Sequence, residues 1–119
     1  MGRTVFENLR IYQLSEQLAD LAWNVVIKWE QFARNSLGLQ MVKAADSIGA
    51  NIAEGTGRGT KIDNRKFAII ARGSLYEVKH WLRRSYKRNL LSKVEIQEFK
   101  NIIDELTPKL NAYIKSIER

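Results

Sequence analysis

The chain has 119 residues and no cysteine, with 20 basic residues against 13 acidic ones and a net charge of +7. That length fits one domain spanning 1–119 with a core of its own, and the missing cysteines exclude a disulfide framework, a thiolate zinc site and a cysteine nucleophile. Positions 1–10 carry no apolar leader and no apolar run approaches the roughly 18 residues of a membrane span, so the expectation is a soluble, cytoplasmic protein without membrane contact.

No segment alternates apolar and polar residues for long, and helical spacing dominates. Ile11, Leu14, Leu18, Leu21, Ala22, Val25, Trp29 and Phe32 fall on one stripe and predict a long amphipathic first helix. Positions 31–36 break that pattern, with Asn35 or Ser36 as the expected N-cap of a second helix. The second stripe is Leu37, Met41, Ala44, Ala45, Ile48 and Ile52. Its small positions Ala44, Ala45, Gly49 and Ala53 invite a close neighbour. Gly55, Gly57 and Gly59 end it, and Thr60 with Asp63 offers a cap for the third helix.

The third helix, about 61–89, is expected to bury Phe67, Ile70, Ala71, Ser74, Val78, Trp81, Leu82 and Ser85. At about 100° per residue, Arg65, Arg72, Tyr76, Lys79, Arg83 and Lys87 then share the opposite face, which holds no carboxylate. Ser92 and Glu95 form a capping box before a fourth helix carrying Ile96, Phe99, Ile103, Leu106, Leu110, Tyr113, Ile114 and Ile117. Pro108 lies inside that pattern and predicts a kink. Four amphipathic helices with short connections predict an all-α, antiparallel up-down-up-down four-helix bundle.

The charge excess is local. Between positions 58 and 88 stand Arg58, Lys61, Arg65, Lys66, Arg72, Lys79, Arg83, Arg84, Lys87 and Arg88, opposed only by Asp63 and Glu77, a net of +8. The rest of the chain sums to −1. A charge that served solubility alone would be dispersed, so this segment points to an anionic partner, with Tyr76 as a stacking platform among the cations. A solvated helix surface is the plainer alternative.

The catalytic and metal motifs fail on inspection. Gly55-Thr56-Gly57-Arg58-Gly59 resembles a phosphate loop, but it follows a helix rather than a strand, and no GK[ST] is present. The start of the third helix beside Arg58 and Lys61 could still hold one nucleic-acid phosphate. Glu77-Val78-Lys79-His80 has the E-x-x-H spacing of bundle di-metal sites, which need two such motifs, whereas His80 is the only histidine. The R-x(4–6)-H motif of HEPN-type ribonucleases would need an arginine where Gly73, Ser74 and Leu75 stand. No Ser-His-Asp set is available, so the expectation is no enzyme, no cofactor and no metal. Asn51, Glu54 and Glu77 read as a structural polar cluster joining helices or subunits, with Glu77 near the edge of its helix's core face.

Gln40 followed by Ala44-Ala45-Asp46-Ser47-Ile48-Gly49-Ala50-Asn51-Ile52-Ala53-Glu54-Gly55-Thr56-Gly57-Arg58 resembles the signature of the four-helix-bundle 23S rRNA intervening-sequence proteins. Phe6-Glu7-Asn8-Leu9 with Tyr12, and Phe67 with Ile70-Ala71-Arg72-Gly73-Ser74-Leu75 and Glu77, resemble two further blocks of that family, so the likeness covers about 6–117. The chain departs from the pattern at Phe32-Ala33, where Phe-Pro is usual, and at Pro108. The resemblance implies an antiparallel bundle that assembles as a homopentamer. It extends to the accessory variability determinant of diversity-generating retroelements, which binds nucleic acid and a reverse transcriptase. It supplies no catalytic residues.

The expectation is therefore a basic homo-oligomer that binds RNA or DNA through its backbone, with Arg58, Lys61, Arg65, Arg72, Tyr76, Lys79, Arg83 and Lys87 in contact. The alternative is a protein-interaction module, for example an accessory subunit for a reverse transcriptase. Apolar residues off the stripes, Val26, Ile27, Ile69 and Ile102, fit an oligomer interface.

Overall fold

A computed structural model of the chain describes residues 6–117. After a short 3-10 turn, Phe6–Asn8, four long helices follow: α1 (Arg10–Val26), α2 (Leu39–Gly57), α3 (Lys61–Lys87) and α4 (Lys93–Ser116). A helical turn at Gln31–Ala33 and a π-helical stretch at Arg34–Gly38 lead into α2. There is no strand among the described residues.

Cross-helix contacts fix every direction. Gly38 lies against Val26 and Gly49 against Tyr12, so α1 and α2 run opposite ways. Ser47 shares a 3.0 Å hydrogen bond with Ser74, and Gly55 lies against Asn64 and Phe67, so α2 and α3 are antiparallel. Asn64 donates to Tyr113 and Arg72 to Asn111, setting α4 antiparallel to α3. Arg10 at the start of α1 meets Glu105 in the second half of α4, which closes the ring. The result is the up-down-up-down bundle the four amphipathic patterns imply.

The core runs the length of the bundle: Leu14, Leu18, Met41, Ile48, Ile52, Leu75, Val78, Phe99, Leu106 and Leu110 are essentially inaccessible. Burial of a side chain this size contributes about 1.5–3 kcal/mol each, offset by the ordering of the chain. The α2–α3 seam is the tightest. Ala44, Ala45 and Gly55 on one side and Ala68 and Ala71 on the other are buried, and small side chains let the backbones approach.

Three expectations are corrected. First, α1 stops at Val26, and Phe32 is 80% exposed rather than on the α1 stripe. The turn after α1 carries Trp29 into the core, which leaves Phe32 on the lead-in to α2, pointing to solvent. Second, the cap lies further upstream than Asn35 or Ser36: the Glu30 carboxylate accepts from the Ala33 backbone N–H, while the Ser36 hydroxyl donates back to the Phe32 carbonyl. Third, α3 buries Ala68, Ala71, Leu75, Val78 and Ser85, and Ile70 is 42% exposed. Ala71, Val78 and Ser85 are buried as expected and Trp81 and Leu82 pack at the margin, but the face is shifted toward Ala68 and Leu75, because small side chains stand where α3 meets α2.

The cap and glycine signals match. The Thr60 hydroxyl caps Asp63, and Ser92 with Glu95 forms both bonds of the capping box. Gly59 has φ +90° in the α2–α3 connection, a conformation glycine adopts without strain. α4 runs through Pro108, which sits on its exposed side.

Candidate nucleic-acid interface

The shifted core face of α3 changes the setting of the basic row. With the core centred on Ala68, Ala71 and Leu75, the residues farthest from it at about 100° per residue are Ile62, Gly73 and His80. Arg65, Arg72 and Lys79 are therefore half-buried along the seam with α4, while Tyr76, Arg83 and Lys87 are exposed beside them. Arg65, Arg72 and Lys79 thus lie at the edge of the core face and not opposite to it, whereas Tyr76, Arg83 and Lys87 keep the exposed positions expected of them.

One side of the row is stitched to α4. The Arg72 guanidinium donates to the Asn111 side-chain oxygen at 3.2 Å. Lys79 Nζ lies 5.0 Å from the centroid of the Tyr76 ring, a cation–π arrangement. Among the described residues no carboxylate forms an ion pair with Arg72, Lys79, Arg83 or Lys87, so no opposite charge is bound to the row. Toward the bundle end, the row overlooks a groove of about 390 Å³ between α3 and α4. Lys79, Arg83 and Tyr86 of α3 and the Lys100–Asp104 ion pair of α4 stand on its sides, with Phe99 and Ile103 in its floor. Tyr86 was legible as a neighbour of Lys79, seven residues on and almost the same angle round the helix. Lys100 was not, because only tertiary packing brings it to α3.

The α2–α3 connection carries the remaining cations. Arg58 is tied to its own chain: its guanidinium is 3.4 Å from Glu54 and 5.3 Å from the Phe67 ring centroid. Lys61 is exposed at the first turn of α3. Arg58 and Lys61 thus stand at one end of the bundle, and Arg83 and Lys87 more than five helical turns away along α3, at about 3.6 residues per turn.

The polar cluster is rearranged. Asn51 donates to the Ser47 carbonyl and hydroxyl, and Ser47 bonds Ser74 across the seam, so the helix-joining triad is Ser47, Asn51 and Ser74. Glu54 pairs with Arg58 and Glu77 accepts from the Trp81 indole N–H; both carboxylates are exposed. Glu77 is not at the core edge, because the core face turns away from it. Among the described residues, Asn51, Glu54 and Glu77 share no hydrogen bond with one another, and each bonds a residue four positions away along the chain. His80 is exposed with its ring against Trp81, and among the described residues no three His, Asp or Glu side chains gather to hold a metal. No described helix is long and apolar enough to cross a membrane.

With this geometry in place, comparison with known proteins decides the lineage. The family model described as 23S rRNA-intervening sequence protein matches residues 7–112. The chain belongs to the 23S rRNA-intervening sequence protein family. A solved structure from Bacteroides thetaiotaomicron, described as a protein with unknown function from the S23 ribosomal protein family, is similar in fold: TM-score 0.77 at 22% identity, covering 88% of this chain and 98% of that one. A search of curated proteins gave no match. Family membership and this likeness support the four-helix bundle. Among the apolar residues expected at an oligomer interface, Val26 is buried in the core, Ile27 is exposed, and Ile69 and Ile102 are half-buried.

Proposed function

We propose that this member of the 23S rRNA-intervening sequence protein family is a non-enzymatic, cytoplasmic homo-oligomer, pentameric in its assembled form, that binds RNA or DNA through the phosphate backbone with little sequence preference. The observation that carries the reading is the single-sign row on α3: Arg72, Lys79 and Arg83 with no ion-paired carboxylate among the described residues. Such a row attracts a polyanion, and several copies in one assembly multiply the effect. No base-reading element enters a groove, so contacts to the backbone position the ligand without reading sequence.

Binding to single-stranded and duplex RNA and DNA across a salt series tests this. Each phosphate contact contributes about 0.7 to the log–log slope for single strands and about 0.9 for duplex. Three engaged cations per protomer predict a slope of roughly −2 or steeper by that rule. Affinity that does not change with salt would contradict the reading.

One observation favours a second reading, a protein-interaction module such as an accessory subunit for a reverse transcriptase. An apolar groove of about 650 Å³ is lined by Phe32, Leu37, Trp81 and Leu90, and Phe32 is 80% exposed on its rim. A large exposed aromatic beside an apolar groove is the kind of surface that partners cover.

A further inference from the structure

We infer that the α3–α4 groove holds an unstacked nucleobase, so that the protein prefers single strands to duplex. This deepens the nucleic-acid reading above and rests on it.

The groove joins two features that a backbone-only site lacks. It has an apolar floor, Phe99 and Ile103, and its volume of about 390 Å³ falls within the roughly 300–1,000 Å³ of pockets that take small organic groups. It also has an aromatic ring at its side: Tyr86 is 57% exposed. Tyr76 is exposed too, but Lys79 covers a face of its ring. No aromatic ring or cation among the described residues covers Tyr86.

The charge complements the ring. Lys79 and Arg83 stand seven and three residues before Tyr86 and line the same groove, so a phosphate on these cations leaves its base beside the ring. Asp104, the one carboxylate lining the groove, is tied to Lys100. A base in a single strand can leave its neighbours and stack on a side chain, whereas a duplex keeps its base faces inside. Stacking of this kind is sequence-tolerant because every base has a π-face.

The test uses fluorescence anisotropy with a labelled oligothymidylate, the same strand annealed to its complement, and inorganic polyphosphate as a competitor without bases. The parent is expected to bind the single strand more tightly than the duplex. Tyr86→Ala is expected to weaken oligothymidylate binding about fivefold or more, the lower end of measured stacking losses, and to leave polyphosphate competition unchanged. Tyr86→Phe keeps the ring and is expected to retain the parent affinity. A parent that binds duplex as tightly as single strand overturns the inference. So does a Tyr86→Ala variant, shown folded by circular dichroism, that binds both ligands like the parent or loses both alike. If the parent binds polyphosphate and oligothymidylate but Tyr86→Ala is silent, the base pocket alone fails. If the parent binds neither, the backbone reading fails with it.

Discussion

A methyl group added at Gly55 would lie 2.7 Å from the Asn64 side-chain oxygen, 3.0 Å from Phe67 Cβ and 3.1 Å from the Asn64 carbonyl. Two of those contacts are to atoms fixed close to the α3 backbone, so the helices themselves must part. Gly55→Ala is therefore expected to destabilise the chain by about 1–3 kcal/mol, the usual cost of overpacking, read as a lower urea midpoint. An unchanged midpoint would mean that the seam is looser than these distances. Gly55 read as part of the helix end, but the helix runs through it to Gly57, and its burial against α3 was not legible, since a glycine carries no pattern of its own. The same applies to Ser47 and Ser74: each looks like a polar residue at a helix edge, and only the pairing of α2 with α3 makes them partners. Glu54 and Glu77 show the converse. Their sequence neighbourhood suggests a shared cluster, yet each has a partner four residues along its own helix, Arg58 and Trp81, which local spacing alone provides.

At the scale of elements, caps and stripes were readable where one residue type decides the outcome. Thr60, Ser92 and Glu95 cap as their chemistry dictates, and α4 buries Phe99, Ile103, Leu106, Leu110 and Ile114 from its own stripe. The face of α3 was readable only in part: Ala71, Val78 and Ser85 were on the expected face, but Ala68 and Leu75 were not, because alanine counts for little in a hydrophobic pattern yet decides where two helices touch. The closure of α1 on α4 was equally hidden. There Arg10 donates two 2.9 Å hydrogen bonds to Glu105, 95 residues away. The bond from Arg10 holds the Glu105 carboxyl below its ordinary value of 4.5, with Lys109 adding to the effect. A carboxyl whose folded pKa is depressed favours folding in its charged form. Its contribution is complete above that ordinary value and is lost as pH falls through the lowered folded pKa. Both side chains are accessible, so the effect is small and screened by salt. Urea midpoints of the parent and Glu105→Gln should differ slightly at neutral pH in low salt and converge in acid. A difference that grew in acid would contradict the assignment.

At the scale of the whole molecule, the bundle measures 44 × 29 × 21 Å, and its basic excess lies almost entirely on one helix and its preceding loop. Trp23, Ile27, Phe32 and Ile62 are exposed apolar residues that the proposed assembly could cover. Light scattering at micromolar concentration should give a mass several times 13.8 kDa, nearest five, and a monomer mass would contradict it. The most direct test of the central claim is the affinity for a single-stranded oligonucleotide of the variant with Arg72, Lys79 and Arg83 all changed to Glu. Helicity and oligomer size are expected to be retained and binding to be abolished. A folded variant that binds as tightly as the parent would show that the α3 row is not the site.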